Sequence, residues 1–199
     1  MAASATSRVN SDQRTTRIVT RFDERKATAA AAYLLSKVGG KMPCIKLIKL
    51  LYLVDRESWR RYDRPVTGDS YVSMNFGPVL STTYDLLRSE DTTAVGRTWS
   101  KTIITAGYEA TLQAGVDLGP LSDAEIEILD EVYQLTEKID RWKLCDLTHS
   151  FSEWQNPEGS SIPILPEEIL KALGKSEEEI DVARQEFAER RHFEQLFGK

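Results

Sequence analysis

The segment from Lys46 to Val79, KLIKLLYLVDRESWRRYDRPVTGDSYVSMNFGPV, restricts the possible folds of this chain more than any other part of it. Ile45, Ile48, Leu51, Tyr52 and Trp59 recur at helical spacing, and Leu47, Leu50 and Val54 widen that stripe around most of the helix. A helix with so much apolar girth belongs at the centre of the molecule, with other elements packed around it. Asp55 falls one turn after Leu51 and one turn before Trp59, beside the stripe rather than opposite it. A carboxylate there needs hydrogen bonds or a cation, because bare burial is costly. The helix ends near Tyr62. A turn follows at Pro65 to Gly68, then an extended run from Asp69 to Met74, then a second turn at Asn75-Phe76-Gly77-Pro78 that opens a helix over Val79 to Ser89. Proline restricts the residue before it, so glycine at 77 permits a sharp change of direction. Asn75 is suited to bonding its own backbone within the turn.

The flanking segments read as further helices. A first helix spans about Asp23 to Val38, with Ala27, Ala30, Leu34, Leu35 and Val38 at helical spacing and Gly39-Gly40 as its stop. Pro43 is placed as a first-turn proline of the central helix. Arg97 to Gln113 reads as a hairpin about Ala106-Gly107, with Trp99, Ile103, Ile104, Tyr108 and Leu112 as its β-formers. Ser122 and Glu125 form a capping box, with Leu121 and Ile126 as a hydrophobic staple, for a helix reaching about Lys138. A short helix covers about Lys143 to His149. An irregular stretch from Ser150 to Pro166 leads into another short helix, closed by Gly174. Ser176 and Glu179 form a second capping box and open an acidic final helix through Ile180, Ala183, Phe187 and Phe193. The sum is a mainly α (α+β) fold, a compact bundle of about seven helices with a small β-hairpin or sheet. No repeat or linker divides the chain, so residues 23–199 are expected to form one domain behind a flexible basic arm, residues 1–22.

Charge narrows the range of partners. The net charge of −5 is spread unevenly: about +3 over residues 1–21, about +2 over 22–121 and about −10 over 122–199. Nucleic-acid affinity is built mainly from clustered Lys and Arg, so an acidic half makes nucleic acid an unfavoured partner. The N-terminal segment is rich in Ser, Thr and Arg, a composition shared by transit peptides and disordered arms, and we read it as an arm. Ile18, Val19 and Phe22 are the residues able to order it as a strand or clasp. Cys44 and Cys145 stand far apart among apolar neighbours, which suits buried thiols in a reducing cytoplasm rather than a disulfide. His149 and His192 add no zinc-binding spacing. No apolar run approaches the roughly 20 residues that span a bilayer, so no membrane role is expected.

Three groups of residues invite a chemical reading. Asp55 as an acid or base would need a second titratable group with a separated pKa, and none stands at recognisable spacing. Its expected role is to tie the central helix to the loop from Gly68 to Met74. Arg56, Arg60, Arg61 and Arg64, joined by Lys46 and Lys49, make a basic face, read as solvated or as a patch that meets an acidic partner. Asp146 precedes His149 by one turn, the relation that orients an imidazole for base catalysis. Without a serine or cysteine nucleophile in a strained elbow, His149 is expected to cap a helix C-terminus and Trp154 to pin the loop. No enzymatic activity, cofactor or metal is expected.

The combination resembles a known family. Leu50 to Leu87 is similar to the signature of the SocA-like Panacea-domain proteins: an aliphatic-Leu-Tyr-x-x-Asp helix, an Arg-Pro-x-Thr-Gly-Asp loop, Tyr-x-x-Met, and Gly-Pro-Val. The matching positions are Leu51, Tyr52, Asp55, Pro65, Thr67, Gly68, Asp69, Tyr71, Met74, Gly77 and Pro78, with Asn75 in the same turn. Leu147-Thr-His149 with Trp154 resembles the second block, and the similarity runs over about Ala27 to Leu173. The resemblance implies a cytoplasmic antitoxin of a bacterial or phage toxin–antitoxin system, with phage defence as a setting. It neutralises a protein toxin encoded beside it by direct binding. The alternative is an adaptor that delivers the toxin to an ATP-dependent protease; a DNA-binding autoregulator is less favoured, and self-association stays open. The acidic C-terminal half suits a basic toxin surface.

Overall fold

The computed structural model describes residues 17–88, 97–113 and 115–198. Among them are eight helices and six short strands. Helix α1 (Glu24–Ser36) starts where the Asp23 carboxylate accepts the Lys26 amide, and it ends where the Gly40 amide, at φ +87°, bonds back to the Leu35 carbonyl. Strand β1 (Lys41–Pro43) leads directly into the central helix α2 (Cys44–Tyr62). Pro43 caps that helix from outside rather than entering its first turn, and Asp63, in the left-handed region, closes it. Leu47, Leu50, Leu51, Tyr52, Val54 and Trp59 are all fully buried. Strands β2 (Tyr71–Met74) and β3 (Gly77–Leu80) form a hairpin, followed by α3 (Ser81–Arg88).

Beyond residue 96 the chain continues with α4 (Arg97–Thr102), a second hairpin β4 (Ile103–Ala106) and β5 (Glu109–Leu112), and α5 (Asp123–Thr136). Then follow α6 (Arg141–His149), β6 (Ile162–Ile164), α7 (Pro166–Ala172) and α8 (Glu177–Phe197). Both expected capping boxes are present, with Ser122 and Glu125 at α5 and Ser176 and Glu179 at α8. Two antiparallel three-stranded sheets result, in orders β1-β5-β4 and β3-β2-β6. In the second, Tyr71 lies opposite both Leu80 and Ile164, so the motif strand is the middle one. Helix α2 packs against α1, α3, α5, α6, α7 and β3, which makes it the axis of the core. No described helix is long and apolar enough to cross a membrane.

Three further expectations fail in instructive ways. The helix expected from Val79 begins at Ser81, because Val79 and Leu80 pair with Val72 and Tyr71 as strand. Arg97 to Thr102 is helical, not a hairpin arm, and Trp99 is buried on that helix. Lys49 is no part of a basic face: it is fully buried. Residues 17–22 of the arm are held against the domain, the option that Ile18, Val19 and Phe22 left open: the Ile18 amide donates to the buried Glu167 carboxylate, and the Asp23 amide, just past the arm, to the Thr67 carbonyl. Residues 1–16 lie outside the described residues.

Candidate functional site

The motif residues converge on the ends of the β2–β3 hairpin. At one end, Asp55 projects from α2 into the loop that precedes β2. Its Oδ1 accepts the Val66 and Thr67 amides, each at 2.9 Å. Its Oδ2 accepts the Thr67 hydroxyl at 2.6 Å and the Tyr71 hydroxyl at 3.0 Å. The Tyr71 oxygen in turn accepts the Trp59 indole N–H at 2.8 Å, one turn further along α2. Asp55 therefore locks the loop at Val66 to Tyr71, slightly upstream of the Gly68–Met74 span expected. Burial pushes the Asp55 carboxyl up to about 6, with the donors from Thr67, Tyr71 and Val66 pulling against that rise.

Asp69 performs the same task one loop later. Its Oδ1 accepts the Ser70 and Thr82 amides and its Oδ2 the Thr83 amide and hydroxyl, so a buried carboxylate caps the start of α3. Gly68 between these anchors has φ +67°, and a Cβ there would meet the Arg21 carbonyl oxygen at 2.0 Å. Glycine is required at this position because the N-terminal segment crosses it in contact. Pro65 is half-buried at the head of the loop, and Leu51 is fully buried in the core.

At the other end of the hairpin, His149 and Trp154 hold the turn. The His149 Nε2 lies 3.1 Å from the Asn75 carbonyl and the Trp154 indole donates to the Met74 carbonyl at 3.1 Å, with the two rings 4.3 Å apart. The Asn75 side chain accepts the Gly159 amide instead of turning back on its own backbone. Gly77 has φ +94°, and a Cβ there would meet Thr148 Oγ1 at 2.5 Å and Lys49 Nζ at 2.8 Å. Lys49 donates to the Pro78 carbonyl at 2.7 Å, and burial lowers its ammonium to about 7. Lys49 was not read from the sequence as part of this site. Its position between Ile48 and Leu50, one turn before Tyr52 on the apolar stripe, was the available signal.

Glu153 is the other residue that sequence reading missed. Its side chain is fully buried between Tyr52, whose hydroxyl donates at 2.8 Å, and Arg56, whose Nε donates at 2.7 Å. The Arg56 guanidinium also lies 4.0 Å over the Phe151 ring. The remaining basic candidates part company. Arg60 and Arg61 share Glu57, and Arg61 also reaches Glu131 on α5. Arg64 stays exposed beside a surface cleft.

Asp55 and His149 are not brought together, since one bonds to the start of β2 and the other to the turn beyond its end. Asp146 and His149 share α6, yet the imidazole bonds to the Asn75 carbonyl. No group of His, Cys, Asp or Glu among the described residues could hold a metal ion. The bonds of Asp55, Asp69, Tyr71, His149 and Trp154 join α2, the hairpin and the segment after α6 into one braced unit.

Fold and site together define a braced helix–hairpin scaffold, in which the buried carboxylates of Asp55 and Asp69 hold loops. A family model described as antitoxin SocA-like, Panacea domain, matches residues 47–155, and the chain belongs to that family. The matched segment runs from α2 to the loop just past Trp154 and contains every motif residue, whereas Arg21 and Gly159, which contact Gly68 and Asn75, lie outside it. No curated protein and no solved structure matches the chain.

Proposed function

We propose that this antitoxin-family protein neutralises a protein toxin by binding it directly, using the braced unit as a rigid platform. The observation that carries this reading is the consumption of the motif inside the molecule. Asp55, the residue best placed by sequence to be catalytic, has both oxygens saturated by four donors and no exposed surface. A group so enclosed orients the loop at residues 65–71 and leaves function to the surface that this loop presents. Rigid presentation raises affinity by reducing the ordering cost of association.

The test is co-expression with the reading frame beside this gene. Toxicity of the neighbour alone, relieved by this chain, with both proteins recovered as a complex, is the expected result. A neighbour that disappears from the cell in the presence of this chain, and reappears when ATP-dependent proteases are deleted, supports delivery to a protease instead. A neighbour whose toxicity is unaffected by this chain refutes the antitoxin reading.

A further inference from the structure

The described surface holds a cleft of about 560 Å³ between the N-terminal segment, the loop that Asp55 braces, and α8. Its walls carry Arg64 from the loop and Arg190 and Arg191 from α8, all exposed, with Phe187 as an apolar patch. Among the described residues these three arginines have no acidic partner, whereas Arg56, Arg60, Arg61 and Arg184 all have one. Two of the three acids lining the cleft are already occupied. Asp23 caps α1, and Glu125 accepts both Lys26 and the Ser122 amide. Glu194 is the remaining acid. The cleft is thus a basic surface beside the strongly negative residues 122–199, with walls from both parts of the chain.

The cleft is also the place where the braced motif reaches the surface. Phe187 packs against Trp59 with ring centroids 5.6 Å apart, and Trp59 donates to Tyr71, which donates to Asp55. Asp55 in turn fixes the Val66 amide, and Val66 and Pro65 line the cleft beside Arg64. Its inner wall therefore comes from the family-matched segment, while its outer walls, residues 19–26 and 187–194, lie outside the match. A platform of shared geometry with walls of its own sequence is the arrangement expected of a surface that selects one partner.

We infer that this cleft binds an acidic, extended segment of the protein partner, its carboxylates paired with Arg64, Arg190 and Arg191 and an apolar side chain against Phe187. Guanidinium groups suit carboxylates because they present paired donors in a fixed plane. Residues 1–16 carry Arg8 and Arg14 against the single Asp12, so their net charge does not complement the cleft. This inference rests on the binding function proposed above and names the surface that performs it.

The test uses the full chain and the triple charge reversal R64E/R190E/R191E, with K143E on α6 as a control for a single charge reversal away from the cleft. A fluorescein-labelled poly-glutamate peptide is titrated into each, alongside a labelled mixed-sequence oligonucleotide. The peptide is expected to bind the wild type in a salt-sensitive manner and the triple variant at least about tenfold more weakly, with K143E unchanged. Equal peptide binding by wild type and triple variant, or no binding to either, overturns the inference. So does tighter binding of the oligonucleotide, which assigns the cleft to phosphates. In cells, a triple variant with unchanged melting temperature is expected to lose neutralisation. Full neutralisation by that variant overturns the cleft while the antitoxin reading stands. Failure of the wild type to neutralise removes the antitoxin reading, and the peptide titration then decides the cleft alone.

Discussion

Replacing Asp55 separates the contribution of its charge from that of its hydrogen bonds. Its carboxyl stands at about 6 in the fold against an ordinary 3.8, because the burial cost exceeds what four donors return. At about 1.4 kcal/mol per pKa unit, ionised Asp55 is held about 3 kcal/mol less well by the folded chain than by the unfolded one. The folded pKa lies above the unfolded value, so this stabilisation belongs to the protonated form. It is complete below about pH 4 and disappears as the pH rises through about 6. Asp55→Asn removes the titration while keeping shape and an acceptor for the Val66 and Thr67 amides. The stability of the variant relative to wild type is therefore expected to improve by about 3 kcal/mol between about pH 4 and about pH 7.5. Asp55→Ala leaves two buried amides and two hydroxyls without their acceptor, at about 1–3 kcal/mol each, and is expected to lose at least about 4 kcal/mol at every pH. Urea unfolding followed by tryptophan fluorescence, to which Trp59 of the same network contributes, reads both effects. A wild type that gains stability relative to Asp55→Asn as the pH rises would show that the carboxylate is better held ionised, and would refute the reasoning.

Three further perturbations probe the rest of the brace. Lys49→Met removes a buried ammonium lowered to about 7, at the cost of its bond to the Pro78 carbonyl. Because the folded pKa is depressed, wild-type stability should climb as the pH rises from about 7 toward about 10, whereas the variant should be flat over that range and more stable at neutral pH by about 1–3 kcal/mol; calorimetry across that range checks it. Gly77→Ala combines φ +94° with a Cβ placed 2.5 Å from Thr148 Oγ1, and should lower stability by about 2–4 kcal/mol in urea unfolding. Glu153→Ala strands the Tyr52 hydroxyl and the Arg56 guanidinium in a buried site, and a loss of about 3 kcal/mol or more in the same assay is expected, exceeding the loss in a Glu153→Gln variant.

Much of the architecture was legible where local chemistry and tertiary packing agree. The capping boxes at Ser122 and Ser176 are satisfied within four residues of sequence, so nothing distant can override them. Helix α2 was equally plain, since its apolar girth dictates burial in any fold. What escaped depends on partners far along the chain. Strands β1 and β6 are three residues each, β6 with Pro163 at its centre, and they exist only because β5 and β2 offer edges to pair with. Val79 and Leu80 follow a proline, which reads as a helix start until Tyr71 and Val72 claim them as strand. Trp99 belongs to a β-forming type, yet it is buried on α4, which packs against α1.

The site divides along the same line. Asp55 announced itself because a carboxylate on an apolar stripe has few stable options. Glu153 sits in an irregular loop with no periodicity to betray its burial, and Lys49 looked like an ordinary member of a basic helix face. Long side chains of either charge are normally solvated, so sequence alone assigns them to the surface. Their burial is set by Tyr52 and Pro78, residues on other elements or other faces of the helix.

The central claim is that this chain acts as a rigid binding platform for a toxin, and size-exclusion chromatography with multi-angle light scattering tests it most directly. The full chain, co-expressed with the product of the adjacent toxic reading frame, should elute as a stable complex of defined stoichiometry. The toxin's activity should be absent from that peak and return after the two proteins are separated in denaturant and the toxin is refolded alone. Elution of the two proteins as separate peaks from cells that this chain nevertheless protects would contradict the account.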